Sequence, residues 1–202
     1  KSVGKSLCVK TFLENFSEIQ SVVIHADECY HNKILFEAII NAFNKHELSE
    51  ANGYEPFAKV DSMEEFLNQI SLLDVSESYL IVIEKAERLR DMDMNISASL
   101  LKLQEFTGLN ISTLLISHLA LEKLGIDDWD VVKIHVPDYN KSDVMDILMS
   151  SFDVVHLNIT KKIEKSQLGG REKEQRLEAA SLIDEEFYKN FLNGFLNVCF
   201  KA

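Results

Sequence analysis

Gly4, Lys5 and Ser6 stand together at the start of a helical apolar pattern, and these residue types in this order can hold a phosphate. A glycine lets the backbone curl so that its N–H groups point at phosphate oxygens. The lysine reaches β- and γ-phosphates, the next hydroxyl holds Mg²⁺, and the positive end of the helix favours the anion. The triplet matches the last three positions of a P-loop, whose first glycine would precede Lys1. The predicted cradle for a nucleoside triphosphate is therefore Lys1, Ser2, Val3, Gly4, Lys5, Ser6 and Leu7. Read blandly, the same triplet is a helix N-terminus with a solvated lysine.

A P-loop domain also needs an acidic residue at the end of a later buried strand, to orient Mg²⁺. The apolar run Tyr79 to Ile83 is followed at once by Glu84. Ser6 and Glu84 are thus the candidate metal ligands, and ATP with Mg²⁺ is the expected cofactor. Ser117 closes another apolar run, Ser112 to Ile116, where a polar side chain can sense a γ-phosphate. No residue is assigned a catalytic role.

The elements that must position these residues alternate between helix and strand. Leu7 to Phe16 has helical spacing, Ser21 to Ala26 suits a buried parallel strand, and Asn32 to His46 is a long amphipathic helix. Ser62 and Glu65 have capping-box spacing for a helix to about Leu73. Tyr79 to Ile83 is the second strand. A helix over Ser97 to Thr107 leads to the third strand, Ser112 to Ile116. A short helix over Leu119 to Leu124 leads to a fourth strand, Val131 to Val136, closed by Pro137. This order predicts a parallel sheet with helices on both faces, with one more strand before Lys1. Ser142 to Ser150 and Asp184 to Cys199 read as helices of a small second subdomain. Between them, the charged stretch Lys161 to Arg176 is a solvated helix or, preferably, a mobile insertion extending from that subdomain, near 158–180. The expected division is 1–139 for the α/β part and 140–202 for an incomplete helical part.

Composition limits the functions open to the chain. Its 202 residues and 46% apolar content suit one large or two small domains with a real core. No apolar run reaches the roughly 18 residues that cross a bilayer. A formal net charge of −12 argues against autonomous DNA binding, which usually needs a basic surface. The three cysteines, Cys8, Cys29 and Cys199, have no metal-like spacing and read as reduced thiols of a cytosolic or nuclear protein, packed as small hydrophobes. The chain does not start with Met, and Lys1 falls inside a motif, so a cut N-terminus is expected.

Longer stretches resemble a known family. IVIEKAERLRDMD from Ile81 to Asp93, STLLISHLALEKL from Ser112 to Leu124 and IHVPDY from Ile134 to Tyr139 are similar to the origin recognition complex subunit 5 family of AAA+ initiators. So are ADECYHNKILFEAIINAF, from Ala26, and EEFYKNFLNGFLNVC, from Glu185. The resemblance implies an AAA+ P-loop αβα sandwich followed by a small helical lid. It implies an ATP-binding subunit of a multi-subunit nuclear complex that binds double-stranded origin DNA and supports helicase loading at replication initiation. Its partners would be other AAA+ subunits of that complex, with no membrane. The family's chain continues into more of the lid and a winged-helix domain, beyond the point that matches Ala202.

Departures from the family pattern bear on turnover. Aspartate is usual where this chain has Glu84. Hydrolysing members carry a glutamate next, as general base for water, where this chain has Lys85, and a missing base costs about 10²–10⁴ in rate. Glu87 is expected to point elsewhere. Between Ser117 and Pro137 there is no arginine to act on a neighbour's nucleotide; Lys123 is the only cation expected to face it, Lys133 lying within the following strand, and a lysine lacks the planar fork. ATP is therefore expected to be held without significant hydrolysis. The competing enzyme is an active AAA+ ATPase of another replication or remodelling complex. A nucleotide kinase ranks last, because its lid would offer only Arg171 and Arg176. A degenerate scaffold that binds no nucleotide is opposed by the intact Gly4-Lys5-Ser6.

Overall fold

A computed structural model describes residues 4–93, 95–124, 126, 131–166 and 169–200. The chain divides into two compact units, Lys1–Val136 and Pro137–Ala202. In the first unit, α1 (Lys5–Asn15) precedes β1 (Gln20–His25). Then come α2 (Asn32–Phe43), α3 (Met63–Ile70), β2 (Ser78–Glu84), α4 (Ile96–Leu101), α5 (Leu103–Thr107) and β3 (Asn110–Ile116). Short 3₁₀ turns cover Glu50–Asn52, Ala86–Asp91 and Leu121–Leu124.

The three strands pair in parallel in the order β1-β2-β3. Parallel neighbours require long crossovers, and α2 with α3, then α4 with α5, supply them. Register aligns His25 with Glu84 and Glu84 with Ile116, so the strand ends that carry the candidate site finish level. The central strand explains its own apolar run: Ile81, Val82 and Ile83 are fully buried. Each such side chain contributes about 1.5–3 kcal/mol on leaving water.

The main core joins Val22 and Ile24 of β1, Tyr79, Ile81 and Ile83 of β2 and Ile111 of β3 to helical residues. Leu35, Phe36 and Ile39 come from α2, and Phe66 and Ile70 from α3. The Phe36 and Phe66 rings stack with centroids 4.6 Å apart, locking α2 to α3. Val82 is buried on the opposite face of the sheet, where Val23 remains 44% exposed.

Several local expectations need correction. Residues 131–136 form no strand, and Val132 and Ile134 stand 89% and 78% exposed. A strand exists through its ladder, and among the described residues β3 pairs only with β2, so residues 131–136 join no ladder there. The helix expected over Ser97 to Thr107 is two helices that meet at Lys102, whose φ of −102° and ψ of 15° break the α geometry. Ser62 caps α3 by accepting from the Glu65 N–H at 3.2 Å, but Glu65 accepts from the Asp61 N–H at 2.7 Å, so the capping box is not closed on Ser62. Only Cys29 is buried, while Cys8 and Cys199 are exposed.

The second unit contains α6 (Lys141–Ser150), α7 (Phe152–Lys165), α8 (Gly170–Ser181) and α9 (Glu185–Cys199). The described residues of the charged stretch near 161–176 are largely helical, in α7 and α8. Asn140 and Asp184 cap α6 and α9 with their side chains. Lys141 binds Asn193 and Asn197 of α9 at 2.6 and 2.8 Å, and His156 of α7 meets the Ala180 carbonyl at 3.1 Å. Among the described residues, no helix is long and apolar enough to cross a membrane.

Candidate functional site

Gly4 adopts φ 75° and ψ 8°, a left-handed conformation that glycine enters without a Cβ penalty. It turns the chain into α1, whose first-turn N–H groups lack intrahelical acceptors. Lys5 opens that helix, with Ser6 and Leu7 exposed beside it. The Lys5 ammonium lies 3.5 Å from Nδ1 of His118 and donates to it when that nitrogen carries no proton. Lys1, Ser2 and Val3 of the predicted cradle lie outside the described residues.

The strand ends supply the rest. Ser117 follows β3, and its Oγ accepts from the Leu119 N–H at 2.9 Å. The Ser117 hydroxyl also donates to the Glu87 carboxylate, and the His118 N–H donates to Glu87 Oε2 at 3.4 Å. Burial pushes the Glu87 carboxyl up, but the donors outweigh it. These are its own N–H, the Ser117 hydroxyl and the His118 N–H, helped by the imidazole charge, and together they hold the group below the usual carboxylate range. Glu87 therefore faces the Ser117–His118 turn, which corrects the expectation that it points elsewhere. The cause is Lys85, whose φ of 55° reverses the chain after β2 into the 3₁₀ turn Ala86–Asp91.

Glu84 behaves differently. It is half-buried at the end of β2, and its Oε2 lies 3.4 Å from Nδ1 of His25 on β1. Its carboxylate is thus shared with an imidazole. Among the described residues, no three His, Cys, Asp or Glu side chains cluster to hold a metal. A phosphate-borne Mg²⁺ needs fewer protein ligands, one or two carboxylates or hydroxyls with phosphate and water completing the octahedron. Ser6 and Glu84 are the residues of suitable chemistry. The Gly4 turn, the free N–H groups and the ammonium of Lys5 fit a phosphate.

Asp27, Lys85, Glu87, Arg88 and His118 are among the residues lining a cleft of about 260 Å³. That is below the roughly 300–1,000 Å³ of a pocket enclosing a whole small molecule. Gly4, Lys5, Ser6 and Glu84 are not among the cleft's lining residues; His118 is what joins it to Lys5. Sequence patterns overlooked His118 and His25 here, and misjudged the direction of Glu87, which turns with the backbone reversal at Lys85.

A parallel three-stranded sheet with helical crossovers, its first helix entered through a left-handed glycine, is the α/β frame of an AAA+ P-loop protein. Within that class the chain is a relative of origin recognition complex subunit 5. It is 33% identical to that subunit of Drosophila melanogaster over 211 residues, covering 98% of this chain and 42% of the fly protein. Identity to the Homo sapiens subunit is 28% over 152 residues, 72% of this chain and 34% of that protein. A chain in the structure of the Drosophila origin recognition complex bound to DNA superposes with a TM-score of 0.77 at 31% identity. That match covers all of this chain and 49% of the other. No protein-family model matches. The chain spans less than half the length of these relatives.

Proposed function

We propose that this chain is the ATP-binding part of an origin recognition complex subunit, which holds ATP–Mg²⁺ without turning it over. The observation that carries the assignment is 33% identity to subunit 5 along 98% of the chain. Lys5 reaches the β- and γ-phosphates, backbone N–H groups of the Gly4 turn cradle them, and Ser6 with Glu84 serves the metal. Ser117 belongs to the γ-phosphate side. The second unit corresponds to the family's helical lid subdomain. Other AAA+ subunits of the complex pack on the nucleotide face, and origin DNA is met by the assembly in the nucleus, upstream of helicase loading. The −12 charge agrees with a fragment that does not seize DNA alone.

Binding without turnover is a coherent function. A nucleotide bound only by the assembled form stabilises it by about 4 kcal/mol when its concentration exceeds Kd a thousandfold. The missing acid at Lys85 preserves that contribution. One observation favours the rival, an active ATPase: Glu87 places a charged carboxylate at the end of β3, in the neighbourhood of Lys5.

Reconstitution tests the proposal. The full-length subunit is mixed with the other origin recognition complex subunits, with and without ATP. ATP-dependent co-assembly that Lys5→Ala prevents is the expected result. Assembly equally complete without nucleotide, and in Lys5→Ala, would overturn the role of ATP. No assembly with those subunits under any condition would overturn the partner assignment.

A further inference from the structure

We propose that His118, and not Ser117, is the side chain that distinguishes a triphosphate from a diphosphate at this site; the inference rests on the ATP-site reading above. The two residues are adjacent, and the geometry separates them. Ser117 is half-buried and spends its hydroxyl inside the protein. Its oxygen accepts the Leu119 N–H at 2.9 Å, and its proton goes to Glu87. A phosphate oxygen would have to break the bond to an ionised carboxylate before Ser117 could donate to it.

The His118 ring is held less tightly: it faces Glu87 electrostatically and meets Lys5 through Nδ1. The imidazole is exposed, lines the cleft beside Glu87 and Arg88, and has Nδ1 3.5 Å from the ammonium of Lys5. Lys5 is the group a β,γ-phosphate draws to itself. A phosphate that takes Lys5 therefore arrives within reach of the imidazole, and a ring N–H can donate to a terminal phosphate oxygen. The backbone of His118 is tethered meanwhile by its N–H bond to Glu87 Oε2 at 3.4 Å. Glu87 is thus the positioning residue, and His118 the contact. In a diphosphate the terminal β-phosphate stays in the N–H cradle of the Gly4 turn, and the imidazole has no γ-phosphate oxygen to bind.

A hydrogen bond to a charged group is worth on the order of tenfold in affinity. The test measures Kd for ATPγS and for ADP, with Mg²⁺, on the full-length protein carrying His118→Ala, His118→Asn, Ser117→Ala or Lys5→Ala. The expected result is a loss of about tenfold for ATPγS in His118→Ala, with ADP unmoved, and partial recovery in His118→Asn, which restores a donor. A selectivity lost in Ser117→Ala and kept in His118→Ala would overturn the assignment. So would selectivity kept in both variants while Lys5→Ala abolishes binding, and that outcome leaves the nucleotide site itself standing. If Lys5→Ala binds both nucleotides like the wild type, the site reading fails and the inference falls with it.

Discussion

Glu87 accepts a hydrogen bond from the backbone N–H of His118 at 3.4 Å, joining the turn after β2 to the turn after β3. With its burial offset by the surrounding donors, the carboxyl is held below its ordinary range. A depressed folded value means the contribution is present above the unfolded carboxylate range and is lost as pH falls through the folded value. Glu87→Gln should cost about 1 kcal/mol at pH 7 and proportionally less in acid. Urea unfolding of both proteins at pH 7 and in steps toward pH 3 checks this. A deficit that is unchanged down to pH 3 would contradict it.

Turnover should be negligible at this site. Lys85 is exposed with its backbone left-handed, and it brings a cation where water activation needs a carboxylate. In a complex whose other ATP sites are inactivated, release of phosphate should stay far below about 1 s⁻¹. Ordinary turnover that disappears in Glu87→Ala would instead make Glu87 the base. Lys85→Glu is the converse check. Turnover that remains absent there points to Glu84 or to the finger that a neighbouring subunit would supply.

Thiol reactivity should divide the three cysteines. Cys29 is 4% exposed, and burial, aided by Glu28 and Asp27, pushes its thiol up, away from the reactive thiolate. Cys8 and Cys199 are exposed. Timed labelling with a thiol reagent followed by peptide mapping should find Cys29 slower on the order of 100-fold. Equal rates at Cys8 and Cys29 would contradict the packing described.

The sheet was legible because β1, β2 and β3 are continuous apolar runs set between helical periods, the pattern of strands buried between layers. The run Val131 to Val136 carries the same pattern and forms no strand, since composition says nothing about whether a pairing edge is free. Gly4, Lys5 and Ser6 were legible because the triplet carries its own chemistry. Glu87 was not. Its direction depends on the positive φ of Lys85, and a lysine does not advertise a left-handed backbone as a glycine would. His118 escaped notice for another reason. Ser117 has the conventional polar type, and only the structure reveals that its hydroxyl is already engaged.

The central claim, ATP held at Lys5 and left intact, is met most directly by the nucleotide content of the purified full-length protein in its assembled complex. The other sites are inactivated, and the extracted nucleotide is separated and quantified as ATP or ADP. The account predicts close to one ATP per copy, with little ADP after prolonged incubation, and its loss in Lys5→Ala. ADP as the main species, or an undiminished ATP content in Lys5→Ala, would contradict it.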